Sequence, residues 1–413
     1  MVAKSPQSVP TVSAVTDPSR RPAALIALLG ALTAVAPLAI DMYVPGFPEM
    51  ARTLHTNDSS VQLSMTGFLA GLVIGQLVIG PLSDGLGRRR PLIAGTALFV
   101  VLSLVCVVAP TIELLIVARF LQGVAGAAGM VLARAVLTDR FHGPRLPHYF
   151  SLLSMVLGVA PVAAPVIGGA VLSAGSWRWV FGALAVFGVA LFLAVLRGVP
   201  ESLPPERRQQ GGVAGSFRAM GRLLGHRAFL GCALTLGFTS AALFAYIAGS
   251  SFVFQDVYGT SAGLYSLIFA TNACGMLLAS AVFGTLSRRM ALGTLLSASV
   301  VVASAAVLLQ VLLLATVGGS LAGTWVTVFF AAFGIGGVFP ATMSLGQSFG
   351  REASGAASAL LGGIQFLFGA AASPLVGAFG TTSATPMAGT MLTALICAAV
   401  CLVLLIRPWR SVG

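Results

Sequence analysis

Twelve runs of predominantly apolar residues recur along this chain, each near the roughly 20 residues that an α-helix needs to cross about 30 Å of hydrocarbon. They cover 22–44, 61–81, 91–109, 113–137, 149–172 and 178–196, then 229–254, 264–283, 292–315, 322–344, 354–377 and 387–406. In lipid every backbone N–H and C=O must find its partner within the segment, so these runs are expected as helices. The alternating pattern of a membrane barrel is missing. The expected fold class is an all-α membrane protein with twelve transmembrane helices. Composition agrees, because 57% of the residues are hydrophobic, 8% are charged and mean hydropathy is +0.98. A soluble domain carries about a quarter charged residues.

Charge in the loops sets the orientation. With residue 1 on the cytoplasmic side, Arg52 and Arg178 fall in outer loops. Fourteen arginines, Arg88, Arg89, Arg90, Arg140, Arg145, Arg207, Arg208, Arg218, Arg222, Arg227, Arg288, Arg289, Arg351 and Arg410, fall inside. Positive charge retained on the cytoplasmic side is the usual rule, so both termini are expected there. The net charge of +12 then sits where anionic lipid lies, and no nucleic-acid partner is needed to explain it. Residues 1–21, rich in Pro, Ser and Thr with Lys4, Arg20 and Arg21, are expected as a disordered cytoplasmic tail, and 407–413 as a second tail. No removable signal peptide is indicated. Abundant Gly and Ala with a single lysine point to a GC-rich bacterial genome, and hence to a bacterial inner membrane. Cys106, Cys232, Cys274, Cys397 and Cys401 show no C-x-x-C pair and read as small packing residues; neither a disulfide framework nor a metal site is indicated.

The longest polar break, 197–228, has six spans on either side, so the chain divides into helical bundles 22–196 and 229–406 joined by a cytoplasmic linker. Internal echoes support a duplication. "GPLSDGLGRRR" from Gly80 returns as "GTLSRRM" from Gly284, and "APVIGG" around Pro165 returns as "SPLVGA" around Pro374. Parallel halves of this kind suit a transporter with its site between them.

The loop from Gly80 to Arg90 carries the strongest local signal. Its glycines allow a tight turn, and Asp84 is placed to pair with an arginine or a helix N-terminus. Such a pairing would latch the cytoplasmic ends in an outward-open state and release in an inward-open one. The arginines alone would do no more than orient the chain. With Gly80, Leu82, Asp84, Gly87, Arg88 and Arg89 in place, the loop resembles the signature G-x-L-a-D-r-x-G-r-k/r of the major facilitator superfamily. The second copy has Arg288 in place of Asp84, so any latch is asymmetric.

Two further stretches resemble motifs of that superfamily. "RFLQGVAGAAG", Arg119 to Gly129, is similar to R-x-x-q-G-x-g-x-A of its proton-coupled drug exporters. Arg119 lies about two turns inside its span, where a guanidinium is costly unless it faces the bundle interior. Gly123, Gly126 and Gly129 leave a smooth face for close helix approach, and packing suffices to explain them. "GVAPVAAPVIGGA", with Pro161, Pro165, Gly168 and Gly169, is similar to the antiporter motif g-x-x-x-G-P-x-x-G-G, with Ala164 in place of a glycine. This helix is expected to be kinked and pliable against its counterpart, span eleven. The resemblance implies export rather than import; a kink without bearing on direction is the other reading.

Span one ends in "DMYVPGFPEM", which resembles the D-M-Y-l-P segment of the bicyclomycin and chloramphenicol resistance (Bcr/CflA) branch of the drug:proton antiporters, as does "LARAVLTDRF" with Arg134 and Asp139. Asp41, near the outer end of span one, and Arg119 of span four are expected at comparable depth, as an acid and its partner in one cavity. Burial disfavours a carboxylate's charged form and a guanidinium favours it, so relative motion would switch Asp41 between states. Drug and proton would then compete for one acid. Tyr43, Met65, Phe68, Phe244, Tyr246 and Phe269, with Gln122, Asn272 and Gln365, are candidate lining residues, and each is also explicable as ordinary helix packing. No G-x-x-x-x-G-K-[ST] loop is present, so ATP is not the expected energy source, and no cofactor or enzyme constellation is visible. The expectation is a monomeric facilitator exporting small amphiphilic drugs against protons. Its rivals are a carrier of a sugar or amino acid, disfavoured by the few charged and polar spanning residues, and a membrane enzyme or receptor.

Overall fold

The computed structural model describes residues 22–141, 146–208, 212–349 and 354–407; the tail at 1–21, most of that at 407–413, and the loop arginines Arg145 and Arg351 lie outside them. Among the described residues there is no strand, and twelve helices are long and apolar enough to span a membrane. Span one is built of α1 (Pro22–Asp41), a 3-10 turn (Val44–Gly46) and α2 (Phe47–Thr53). Then come α3 (Asp58–Leu86), α4 (Arg89–Val108), α5 (Ile112–Arg140), α6 (Leu146–Ala174) and α7 (Arg178–Gly198). After α8 (Gly212–Gly225) follow α9 (Arg227–Phe252, prolonged by a π-helical turn Val253–Val257), α10 (Ala262–Leu286), α11 (Leu292–Thr316), α12 (Leu321–Phe349), α13 (Ser354–Ala378) and α14 (Thr385–Cys401).

Three of these boundaries follow from side chains that cap orphan N–H groups. Asn57 accepts from Ser60 N ahead of α3, Thr111 from Leu114 N ahead of α5, and Ser261 from Leu264 N ahead of α10. The first span differs from expectation. It runs from Ala23 to Thr53, not 22–44, and breaks after Asp41 because Pro45 and Pro48 lack the N–H groups that would continue α1. The linker also departs from a purely polar break: residues 212–225 form a helix carrying Arg218 and Arg222, which rests on α9 and α13 and touches α3.

The first six spans pack largely on one another. α3 and α5 approach backbone to backbone, since a Cβ at Gly71 would fall on the Phe120 carbonyl and one at Gly123 on the Phe68 carbonyl. Gly126 faces Phe99 and Phe68, and Gly129 faces the Leu32 carbonyl, so these glycines serve three different neighbours. In the last six spans α9 packs on α13 and α14, and α12 on α10 and α11. Two seams join the sets, α3 against α13 and α6 against α10. Span five therefore does not work against span eleven as expected. Its partner is span eight, because α13 is occupied by α3 and α9.

Hydrogen bonding across the seams is one-sided. Among the described residues, every hydrogen bond joining the first six spans to the last six lies at the end opposite Arg88–Arg90. The partners are Gln62 with Ala248 and Gly377, Ser373 with Gln62, Gln255 with Pro45, and Thr381 with Asp58. The molecule is clasped at that end.

Candidate functional site

Asp41 is the last residue of α1, four residues before Pro45, whose carbonyl accepts from Gln255 at the clasped end. What the sequence does not show is that helix resumes beyond the proline pair, as α2. Asp41 is 4% exposed, and its Oδ1 is buried without a hydrogen-bond partner. Tyr246 of α9 and Tyr265 of α10 lie within electrostatic reach of it. The carboxylate's charge is thus felt in the second half of the molecule.

Arg119 is not its counter-ion. The guanidinium is fully buried, with Nη1 donating to Gln122 Oε1 at 2.6 Å and Nη2 to the Ala39 carbonyl at 2.8 Å. It lies over the rings of Phe68 (4.1 Å), Tyr43 (4.4 Å) and Phe181 (5.5 Å). Because α1 stops at Asp41, the Ala39 carbonyl lacks its helical donor, and the negative end of the helix dipole faces the cation there. Peptide dipoles, an amide and three aromatic faces do what the acid was expected to do. Gln122 passes the network on, Nε2 donating to Ser103 Oγ at 2.7 Å, and Tyr43 OH shares a hydrogen bond with Ser64 Oγ at 3.3 Å.

The candidate lining residues therefore separate. Tyr43, Phe68 and Gln122 enclose Arg119, and Met65 is fully buried in the same core. In the second half Asn272 Nδ2 donates to Tyr246 OH at 2.9 Å, and the Tyr246 ring stacks on Phe269 at 5.4 Å. The amide oxygen of Asn272 is buried without a partner. Phe244 packs beside Phe366 and Gly369, and Gln365 is partly exposed on α13. A separate cavity of about 540 Å³ at the clasped end has Glu49, Arg52, Gln255 and Asp256 among its lining residues.

Gly168 and Gly169 place α6 against both sides of the site. A Cβ at Gly168 would overlap the Met42 carbonyl, in the break of span one, and one at Gly169 would overlap the Ser266 hydroxyl of α10. Pro165 and Pro161 stand about one and two turns earlier. Gly168→Ala is expected to cost about 1–3 kcal/mol through overpacking against backbone that cannot yield. The checks are the melting temperature of the purified protein, which falls by a few degrees, and transport, which falls more than expression does.

The Gly80–Arg90 stretch is not the loop expected but the end of α3, the Gly87–Arg88 turn and the start of α4, and it is tied within its own half and to the linker. Arg88 Nη1 meets Asp84 Oδ1 at 2.6 Å and Arg88 Nε meets Asp139 Oδ2 at 3.1 Å. Gly87 has φ +87°, a left-handed conformation that glycine adopts without strain, and a Cβ there would also press on Glu201. Glu201 receives the backbone N–H groups of Arg88 at 2.8 Å and Arg89 at 3.3 Å, at the start of α4, while Arg89 Nη2 donates to the Leu196 carbonyl at 2.9 Å. Burial pushes the Glu201 carboxyl up. The N–H groups of Leu203, Arg88 and Arg89, with the Arg208 guanidinium, outweigh that and hold it below the usual carboxylate range. A lowered value means that Glu201 stabilises the linker above its ordinary value of 4.5 and loses that role as pH falls through the lower folded value. Glu201→Gln is expected to speed proteolysis at residues 200–208 several-fold at neutral pH. In strong acid the two proteins converge.

Residues 29–374 match the family model described as Major Facilitator Superfamily. The chain belongs to this superfamily. The facilitator is 41% identical over 370 residues to the MFS-type transporter YdgK of Bacillus subtilis, covering 89% of this chain and 92% of that one. It is 28% identical over 372 residues to a bicyclomycin resistance protein homolog of Haemophilus influenzae, with 89% and 92% covered. It is also 29% identical over 243 residues to the multidrug resistance protein MdtL of Shigella flexneri, with 59% and 61% covered. These relatives agree with the Bcr/CflA branch that the motifs indicate. Among solved structures, a bacterial homolog of the lysosomal transporter Spinster, in an inward-facing, occupied conformation, superposes with a TM-score of 0.70 at 15% identity, covering 95% of this chain and 98% of that one. The unoccupied form gives 0.68 at 16% identity, with 94% and 96% covered. Twelve spans and this family make the protein a multi-pass membrane transporter.

Proposed function

We propose that this facilitator exports small amphiphilic drugs of the chloramphenicol and bicyclomycin kind in exchange for protons, across a bacterial inner membrane with its arginine-rich loops in the cytoplasm. One observation carries the reading: Asp41, at the end of α1 where span one breaks, holds a buried carboxylate oxygen without a partner, within electrostatic reach of Tyr246 in the second half. A group that must carry a proton has to be free to lose it. Arg119 is engaged through Nη1 and Nη2 by Gln122 and Ala39 and lies over three rings, with no ion pair to Asp41, which leaves Asp41 available. Tyr246 OH accepts from Asn272, so its own hydrogen is free to turn toward Asp41 when that acid is charged.

In this scheme the clasped end is extracytoplasmic and the conformation is inward-facing. The two six-helix bundles are the moving bodies, and the Asp84–Arg88 pair is a latch disengaged from the second half. Drug enters from the cytoplasm toward Tyr246, Phe269 and Asn272 and displaces the proton from Asp41. Reprotonation from outside then favours release. One proton moving inward through 100 mV supplies about 2.3 kcal/mol, roughly a 50-fold drug gradient, before any pH difference is added. The names of the bicyclomycin and multidrug resistance relatives support the substrate class. The test is the lumenal pH of everted vesicles on adding chloramphenicol, with a sugar and an amino acid as controls. Export predicts alkalinisation by the drug alone. Drug movement indifferent to an imposed pH gradient refutes it.

A further inference from the structure

Gln62 lies one turn inside the start of α3, fully buried. Both ends of its amide are engaged by the opposite half. Nε2 donates to the Ala248 carbonyl of α9 at 3.2 Å, and Oε1 accepts from Gly377 N of α13 at 2.8 Å. Ser373 Oγ of α13 donates to the Gln62 main-chain carbonyl at 3.4 Å. The site is shaped for this amide, since a Cβ at Gly377 would press on Gln62 Oε1 and on the Ser59 backbone. The other contacts across this end, Gln255 with Pro45 and Thr381 with Asp58, involve side chains in partly exposed surroundings.

We propose that Gln62 is the positioning residue that closes this end of the transporter, an uncharged clasp over three helices whose rupture admits the alternate, oppositely open conformation. The inference rests on the alternating-access reading and on neither the drug nor the coupling ion. An amide suits the position because it must donate to one helix and accept from another at once, which neither a carboxylate nor an aliphatic side chain does. Being uncharged, it holds at any physiological pH, so proton control is left to the interior. The clasp is also wired to the interior along one stretch of α3. Ser64, two residues on, holds Tyr43 OH, and the Tyr43 ring lies beneath Arg119.

Replacing Gln62 by glutamate makes the clasp titratable, which gives a test that a merely structural role would not satisfy. The charged groups around it are Asp58, a turn back on α3 and bonded to Thr381, and Asp256 at the end of the π-helical turn, with Arg52 of α2 interacting with Asp256; α13 carries no acid or base. The readout is hydrogen–deuterium exchange of peptides 57–66 and 373–384 in the full-length protein in lipid nanodiscs at pH 5.5 and 7.5, corrected for intrinsic rates. Gln62→Leu is expected to exchange about tenfold faster in both peptides at both pH values. Gln62→Glu is expected to be fast at pH 7.5, where the carboxylate has no hydrogen for Ala248, and to approach the wild-type rate at pH 5.5. Wild-type rates in both variants at both pH values would overturn the proposal, as would faster exchange spread evenly over all twelve spans. No drug or proton flux enters the measurement, so its failure is separable from failure of the export reading.

Discussion

Asp41→Asn is expected to reduce drug-driven proton movement in everted vesicles to the leak rate, a fall of about 100-fold or more, while leaving the protein folded. The amide matches the carboxyl in shape but takes up no proton between pH 5 and 9, so the exchange cycle loses its carrier. Folding should survive because Oδ1 has no hydrogen bond to lose. A neutral amide also costs less to bury than a charged oxygen without a partner, so the melting temperature is expected to hold or rise slightly. Drug should still equilibrate down its own gradient, since the route between the bundles is unaltered. Proton flux of wild-type size from the Asp41→Asn protein, on adding chloramphenicol, would end the proton-carrier role.

Arg119→Ala has the second large effect, on stability as much as on transport. The substitution strips donors from the Ala39 carbonyl and from Gln122, removes the cation from three aromatic faces and leaves a void between Tyr43, Phe68 and Phe181. Breaking such a buried network costs about 3–5 kcal/mol, read as a melting temperature several degrees lower and poorer recovery from membranes. Arg119→Lys keeps the charge but not the planar fork, so it is expected to restore only part of the loss. A double-mutant cycle decides between two pictures of the site. If Arg119 were the counter-ion of Asp41, the effects of Asp41→Asn and Arg119→Gln on stability would couple by 1 kcal/mol or more; with the partners seen here they should add to within about 0.5 kcal/mol.

The seam between α6 and α10 shows how motif and contact differ. Pro165 and Pro374 echo one another in sequence because α6 and α13 occupy equivalent places in the two halves. Equivalent places related by an axis through the membrane are not neighbouring places, so α6 meets α10, and α13 meets α3. The Gly80–Arg90 stretch was legible for a similar reason: a turn glycine, an acid and an arginine within a few residues need no distant partner to be recognised. Glu201 was not, since its role arises only when the linker folds back onto the start of α4.

From the sequence alone came twelve spans, an all-helical chain, the superfamily and the singling out of Asp41 and Arg119. Hydrocarbon tolerates only helices of a set length and makes every buried charge conspicuous, so a linear reading suffices for these. Tertiary structure alone decided that Arg119 rests on peptide and aromatic groups, that a carboxylate oxygen of Asp41 is buried without a partner, and that Gln62 bonds two helices of the opposite half. Those outcomes depend on which carbonyl a broken helix leaves open and on which side chain a neighbour 186 or 315 residues away happens to meet, and no local pattern encodes either.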